Sequence, residues 1–88
     1  MTVTETIETK LKTAFAPERF ELIDDSEKHR GHGGYREGGE SHFTLRMVSA
    51  AFAGEGRVAR QRAVNKVLAE ELAGPVHALA MELKAPGE

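Results

Sequence analysis

Residues 42–48 read His-Phe-Thr-Leu-Arg-Met-Val, and the rest of the fold is predicted outward from this stretch. The apolar side chains of Phe43, Leu45 and Met47 alternate with polar ones. A period of two is typical of a β-strand that buries one face and exposes the other. We therefore predict a half-buried strand at 42–48, whose apolar face must be covered by other elements.

A helix and a further strand are predicted on the C-terminal side. After a connector at 49–56, apolar side chains recur at helical spacing over 57–73, and Gly74-Pro75 ends the pattern. The apolar stripe of this helix consists of Val64, Val67, Leu68 and Leu72. Residues 76–84 are predicted to form a strand. A strand–helix–strand unit of this length is a crossover connection, so its two strands should be parallel.

A helix and a strand are also predicted on the N-terminal side. Residues 2–15 carry apolar side chains at three- and four-residue spacing, and Thr2 with Glu5 fits a capping box. Pro17 ends this helix, because the residue before a proline is pushed out of the α region. Residues 19–25 favour a strand that pairs antiparallel with the half-buried one.

The predicted order αββαβ makes an α+β fold, with a three-stranded mixed sheet and both helices on one face. The chain has 88 residues and no internal repeat, which suits a single domain over residues 1–88. No run approaches the roughly 18 apolar residues of a membrane helix, and the N-terminus has no signal-peptide pattern. We therefore expect a cytoplasmic protein that does not contact membranes.

The composition narrows the chemistry that this chain can perform. It contains no cysteine, which excludes disulfides and thiolate ligands from the chain itself. A site for a soft metal must therefore use histidine or take thiolates from a partner. The formal net charge of −2 argues against a general nucleic-acid binder, although it does not exclude a local basic patch.

The stretch 26–42 is predicted to be a long loop, because it holds five of the nine glycines. It also holds three of the four histidines, at His29, His32 and His42. Long loops inside small domains are usually functional or disordered. We expect this loop to be disordered in the isolated chain, because nothing offsets the entropy lost by ordering its glycines.

The predicted topology brings the fourth histidine to the same place. If the last two strands are parallel, His77 lies at the end of the sheet where His42 begins its strand, beneath the loop. One interpretation is a metal site that combines His77 with a loop histidine, since imidazole binds zinc, copper, iron and nickel. The alternative is four unrelated histidines, one packed at the edge of the core and three on a mobile surface.

The start of the second helix is basic and forms a separate candidate. Its cations are Arg57, Arg60, Arg62 and Lys66. One interpretation is a helix that contacts phosphate groups, and the alternative is an ordinary solvated helix surface. The patch should lie roughly 20 Å from the histidines, because the helix rises about 1.5 Å per residue. One site is therefore not expected to use both groups.

Two further sequence patterns are weak evidence for nucleic-acid binding and for catalysis. Gly31-His32-Gly33-Gly34 matches the GxxG of KH domains, but it does not join two helices. Ser26 and Ser41 lie near histidines, but a catalytic triad also needs an orienting carboxylate and an oxyanion hole. We expect no enzymatic activity.

Several runs in combination resemble the BolA family. They are Asp25-Ser26-Glu27-Lys28-His29, Gly39-Glu40-Ser41-His42-Phe43, Arg60-Gln61-Arg62-Ala63-Val64, Leu68-Ala69-Glu70-Glu71-Leu72 and Gly74-Pro75-Val76-His77-Ala78-Leu79. The similarity extends over residues 5–85, and E-S-H-F together with V-H-A-L is its most specific part. It implies an αββαβ fold similar to class II KH domains, in agreement with the order predicted above.

The resemblance also implies a partner and a cofactor. BolA proteins pair with monothiol glutaredoxins and share a bridging [2Fe–2S] cluster, for which glutaredoxin and glutathione supply thiolates. By this resemblance, His77 is the strand ligand and His29 the loop ligand, with His32 and His42 in reserve. Histidine in place of thiolate raises the potential of Rieske-type centres, and a comparable effect is expected here. The expected role is iron–sulfur cluster handling or iron sensing, and the free protein is expected to be a monomer or weak dimer.

A second function implied by the resemblance is transcription regulation through the second helix. The usual family pattern there is R-H-R, and this chain has Arg60-Gln61-Arg62. Both arginines are kept while the central histidine is missing. The alternative hypothesis is therefore a DNA-binding regulator that uses the basic patch of the second helix.

Overall fold

The computed structural model describes residues 2–26 and 41–88. These residues form α1 (Val3–Phe15), β1 (Arg19–Asp24), β2 (His42–Val48), α2 (Arg57–Val67), α3 (Ala69–Ala73) and β3 (Ala78–Lys84). A 3₁₀ turn at Ala50–Phe52 precedes α2. The predicted α+β fold is confirmed, with three helices where two were expected.

The three strands form one mixed sheet in the order β1-β2-β3. β1 pairs antiparallel with β2, so that Leu22 lies opposite Leu45. β3 pairs in parallel with β2, from His42 beside Ala78 to Val48 beside Lys84. The parallel pairing predicted from the crossover is therefore correct.

The core lies between the sheet and the helices, on the face that carries the alternating apolar residues of β2. α1 contacts β1, and α2 contacts both α1 and β3, so the helices cover this one face. The buried apolar side chains are Ile7, Leu11, Phe43, Leu45, Met47, Phe52, Val64, Leu68, Val76 and Ala85. Residues from every layer meet in this cluster, which makes the domain a single packing unit.

The ends of α1 follow the predicted capping pattern. The Thr2 hydroxyl accepts from the Glu5 amide at 3.0 Å, and the Glu5 carboxylate accepts from the Thr2 amide at 3.1 Å. At the other end, Ala16 takes the left-handed conformation with φ of 43°, and Pro17 follows it. Both ends are therefore set by residues within one turn of the boundary.

The prediction of one continuous helix over 57–73 is wrong. Leu68 leaves helical geometry with φ of −101° and ψ of 21°, and it separates α2 from α3. Leu68 is nevertheless buried in the core, and its carbonyl still accepts from the Leu72 amide at 2.9 Å. The apolar spacing continues across the break, which is why the sequence pattern does not reveal it.

α3 is tied to α1 by an ion pair across the helix layer. The Lys10 ammonium lies 2.8 and 3.0 Å from the two carboxylate oxygens of Glu71. Glu71 is buried, and its charge raises the pKa of Lys10 through this hydrogen bond. The buried Glu71 carboxylate on the inner side of α3 is thus paired with an opposite charge.

The last strand begins later than predicted. β3 starts at Ala78, so Val76 and His77 precede it. Val76 is buried in the core, and its amide donates to the Glu71 carbonyl at 2.9 Å. The 76–84 prediction is therefore too long by two residues, because Val76 completes the end of α3 and not the sheet.

At the other end of the sheet, the side chains of Arg60 and Glu88 form a contact that we call the C-terminal latch. Arg60 donates from both terminal nitrogens to the Glu88 carboxylate, at 2.6 and 2.7 Å. Arg60 also donates from Nε to the Glu55 carbonyl and from Nη1 to the Leu83 carbonyl. The latch therefore joins the start of α2 to the end of β3.

Replacing Leu45 by alanine should strongly destabilise the domain. Leu45 has no exposed surface and lies in the central strand, so its truncation leaves a cavity that costs about 2–5 kcal/mol. Urea unfolding measures this loss of unfolding free energy. Val58→Ala is the control, because Val58 is 59% exposed and should change stability by no more than about 0.5 kcal/mol. Equal losses in both variants would contradict the assigned core.

The C-terminal latch should make stability depend on pH. The hydrogen bonds from Arg60 and from the Ala85 amide lower the pKa of Glu88 from 4.5 to about 2. A lowered carboxyl pKa contributes stability that is present above about pH 4.5 and is lost as the pH falls towards 2. Unfolding curves should therefore show wild type more stable than Glu88→Gln at pH 6, with the gap closing below pH 4. A gap that does not change with pH would show that the ionised carboxylate contributes nothing.

Candidate functional site

Two buried serines join the chain on either side of the glycine-rich stretch. The Ser26 hydroxyl oxygen accepts from the backbone amides of Ser41 and His42, at 2.9 and 3.2 Å. Asp24 supports this arrangement, because its carboxylate accepts from the Ser26 amide at 2.9 Å. Both serines are almost completely buried. The start of β2 and the end of β1 are thus held together by side-chain hydrogen bonds where the strand ladder stops.

His77 lies directly beside this junction. Its backbone amide donates to the Ser41 carbonyl at 2.7 Å, and the Ala78 amide donates to the same oxygen at 3.2 Å. These bonds fix the backbone at His77 even though it precedes β3. The residue itself is exposed. His77 therefore combines a fixed main chain with an imidazole that a ligand or partner can reach.

His42 is the second imidazole at this end of the sheet, and its environment differs from that of His77. Only 4% of its surface is exposed, and Nδ1 lies 2.9 Å from the Ser41 hydroxyl. Its ring centroid is 5.3 Å from that of His77, with the planes tilted by 49°. The structure thus brings together the two histidines that the topology predicted to converge. We call Ser41, His42 and His77 the histidine end of the sheet.

The two imidazoles differ in what they can bind. When the Ser41 hydroxyl donates to Nδ1 of a neutral His42, the ring proton sits on Nε2, and Nδ1 is already used. His77 is exposed, so it is the better ligand of the two. His29, the predicted loop ligand, and His32, a reserve candidate, lie outside the described residues.

A metal or cluster at this end would need ligands from elsewhere. Within residues 2–26 and 41–88, no group of three or more His, Cys, Asp or Glu side chains is placed to hold a metal ion. Protein zinc sites use three or four ligands, and iron–sulfur clusters use four. The histidine end therefore fits a group that is shared with other ligands, and it does not fit a resident metal held by these residues alone.

The geometry does not favour hydrolysis at Ser41. Its hydroxyl lies next to a histidine, which is one element of a nucleophilic site. Ser41 has no exposed surface, however, and the Ser26 hydroxyl is similarly buried. An external substrate cannot reach either oxygen, so the serines hold the backbone and the imidazole in place.

The basic patch of the second helix is only partly available as a surface. Arg57, Arg62 and Lys66 are exposed. Arg60 differs, because only 12% of its side chain is exposed and the C-terminal latch holds its guanidinium. Among the described residues, Arg60 therefore differs from the other three cations of the patch in exposure and in having an ion-pair partner. The latch joins residues 28 positions apart, and no local sequence pattern indicates it.

The two candidate sites lie at opposite ends of the sheet. His42 begins β2 beside Ala78, whereas Arg60 bonds the carbonyl of Leu83 near the end of β3. A single ligand of small size cannot bridge them.

In the part of the chain that the structure covers, no helix has the length and apolar character needed to span a membrane.

Curated relatives cover almost the whole chain. A protein from Sinorhizobium sp., named "Uncharacterized protein in cobS 5'region", is 56% identical over 100% of this chain and 96% of its own length. The DNA-binding transcriptional regulator BolA of Vibrio cholerae is 44% identical over 90% of this chain and 71% of its own length. Human BolA-like protein 1 is 43% identical, and the chain spans only 57% of its length.

Solved structures agree with this relationship in fold and sequence. BolA1 from Arabidopsis thaliana superposes with a TM-score of 0.86 at 30% identity, covering 100% of this chain and 96% of that one. The BolA domain of SufE1 from the same plant gives 0.84 at 39% identity, covering 93% and 90%. The family model described as BolA-like protein matches residues 11–88. The chain therefore belongs to the BolA-like family.

Proposed function

We propose that this protein is a non-enzymatic partner of a monothiol glutaredoxin and co-ligates a bridging [2Fe–2S] cluster through histidine. The proposed role is iron–sulfur cluster handling or iron sensing. The observation that supports it most is the exposed His77 imidazole, 5.3 Å from the His42 ring, on a backbone held by Ser41. These side chains are too few for a complete site, as expected when another molecule supplies the remaining ligands.

The proposal divides the ligands between the two proteins by their chemistry. This chain has no cysteine, so the thiolates come from glutaredoxin and glutathione. His77 supplies one imidazole, and His29 supplies the second by the family resemblance. When bound, the cluster supplies one-electron chemistry or transferable iron and sulfide.

The neighbours of His77 have supporting roles in this proposal. The Ser41 carbonyl accepts a hydrogen bond from the His77 amide, and the tilted His42 ring packs beside the His77 imidazole. The Ser26 hydroxyl in turn orders Ser41 and His42 through their amides. This chain of contacts restricts His77 before any partner arrives, which lowers the entropy lost on binding.

Replacing His77 by alanine should remove the spectral signature of the mixed complex. The protein is mixed with a monothiol glutaredoxin, glutathione, iron and sulfide, and visible absorption and circular dichroism spectra are compared with those of the glutaredoxin homodimer. Wild type should give a different spectrum, because imidazole replaces thiolate at one iron. His77→Ala should return the homodimer spectrum. A spectrum unchanged from that of the wild-type complex would exclude His77 as a ligand.

Matched variants identify the loop ligand and test His32, one of the two reserve candidates. His29→Ala should have the same effect as His77→Ala, whereas His32→Ala should leave the mixed spectrum intact. Arg57→Ala is the control, because Arg57 is exposed at the start of α2 and lies near Lys84 at the other end of the sheet. Far-ultraviolet circular dichroism of each isolated variant shows whether the fold survives. If His32→Ala and not His29→Ala abolishes the signature, the loop ligand has been misassigned.

DNA binding is the second candidate function. It is supported by the name of the Vibrio cholerae relative, a DNA-binding transcriptional regulator, and by three exposed cations on one helix. Those cations are Arg57, Arg62 and Lys66. Arg60 is a poor probe of this function, because replacing it also breaks the C-terminal latch.

For this second function, the double variant Arg62→Ala/Lys66→Ala should weaken duplex binding. Each lost phosphate contact should reduce the slope of log K against log salt by about 0.9, or roughly 2 for the pair. Fluorescence anisotropy between about 50 and 200 mM salt measures the affinity for the duplex and its salt dependence. Lys12→Ala is the control, because Lys12 is an exposed cation on α1. Equal weakening by Lys12→Ala would mean that net charge, and not the α2 surface, controls binding.

A further inference from the structure

The C-terminal latch has the geometry of an occupied anion site. The Arg60 guanidinium presents two parallel donors to the two carboxylate oxygens of Glu88, at 2.6 and 2.7 Å. The Ala85 amide adds a third donor, at 3.2 Å from one of those oxygens. A planar fork with a backbone amide beside it is also the arrangement that proteins use to hold phosphate.

The guanidinium is placed independently of the carboxylate that it holds. Its Nε donates to the Glu55 carbonyl at 2.8 Å, and Nη1 also donates to the Leu83 carbonyl at 3.1 Å. The guanidinium carbon lies 6.0 Å from the centre of the Phe52 ring. These contacts come from three separate elements and do not involve Glu88. The donors should therefore stay in position when the carboxylate leaves.

The surroundings leave room and positive charge for another anion in place of the carboxylate. The cleft at this position has a volume of about 470 Å³ and is also lined by Arg57 and Lys84. Lys84 is close enough to contribute to the lowered pKa of Glu88. Glu55 and Glu82 line the same cleft, so its net charge with Glu88 in place is close to zero. Removal of the Glu88 carboxylate leaves one excess positive charge.

We propose that Arg60 and the Ala85 amide form a phosphate-binding site that the carboxylate of Glu88 fills within the same chain. The carboxylate acts as an internal competitor, and a phosphate group binds when Glu88 moves aside. Nothing in the histidine chemistry requires this site, because it lies at the other end of the sheet. For the second candidate function, the site would supply a regulated phosphate contact on the DNA-facing helix.

The residue that closes the site is held by few other contacts. Glu88 is exposed at 46% of its side chain, and its backbone amide donates to the Ala85 carbonyl at 3.2 Å. Gly87 precedes it with φ of 88°, a conformation that glycine adopts readily. Displacement of Glu88 therefore breaks its bonds to Arg60 and to the main chain of Ala85, and leaves the side-chain packing of the core in place. Because its pKa is about 2, the carboxylate stays ionised near neutral pH, so a competing anion and not a proton must open the site.

Glu88→Ala tests the proposal by removing the internal competitor. Inorganic phosphate is titrated into ¹⁵N-labelled wild type and variant at constant ionic strength, with the Ala85 amide and Arg60 Nε signals as reporters. The variant should bind phosphate roughly tenfold more tightly, since one charge-assisted contact no longer competes. Both reporter signals should shift along the titration. The proposal would be overturned if the variant gained no affinity for phosphate, or if the Ala85 amide and Arg60 Nε signals did not shift.

Two further variants separate a specific site from a change in net charge. Glu82→Ala removes the same charge from the same cleft, but its carboxylate lies 3.5 Å from Arg46 and 3.9 Å from Lys84, and not against Arg60. It should leave phosphate affinity close to wild type. Glu88→Ala/Arg60→Gln should lose the gain of the single variant. A gain of equal size in Glu82→Ala would overturn the proposal, because general electrostatics would then explain the result.

A second titration identifies the source of the phosphate group. A short duplex DNA that shifts the Ala85 and Arg60 signals of Glu88→Ala, more strongly than those of wild type, assigns the site to a nucleic-acid backbone. Shifts with inorganic phosphate alone assign it to a free phosphate or a phosphate ester. Neither titration uses the histidines, so failure here leaves the glutaredoxin proposal untouched, and the reverse also holds.

Discussion

The parallel pairing of β2 with β3 is the constraint on which the rest of the structure depends. It places His42 beside Ala78 at one end and Val48 beside Lys84 at the other. Parallel strands need a crossover, and the helices that provide it cover the apolar face of the sheet. The same pairing sets two chemically different ends, since His77 immediately precedes β3 at one end and Arg60 bonds the Leu83 carbonyl at the other.

At the histidine end, small buried polar side chains hold the backbone that carries the exposed His77 imidazole. β1 stops at Asp24, so the amides of Ser41 and His42 need acceptors that the strand ladder does not supply. The Ser26 hydroxyl accepts from both, and the Ser41 carbonyl accepts from His77 and Ala78. Among the described residues, no buried side-chain nitrogen or oxygen lacks a hydrogen-bond partner. The exposed His77 thus rests on a fully satisfied network.

Much of the fold was predictable because its signals are local. The alternation at 42–48 gave the bounds of β2 without error, and the Thr2 capping box fixed the start of α1. The break at Leu68 and the late start of β3 were not predictable. Leu68 keeps its place in the apolar stripe while its dihedral angles change, and Val76 is apolar whether it belongs to a strand or to the end of a helix. Each of these residues is buried in either of the two conformations open to it, so hydrophobic spacing cannot show which conformation it takes.

By itself, the sequence determined the fold class, the absence of thiolate ligands and the convergence of His42 with His77, because these follow from periodicity, composition and crossover length. Only the tertiary structure decided that His42 is buried against Ser41 while His77 is exposed. It also decided that Arg60 is bound by Glu88 and is not a free surface cation. The physical reason is the same in each case. The accessibility and partner of a side chain depend on residues that are distant along the chain, and packing alone brings those residues together.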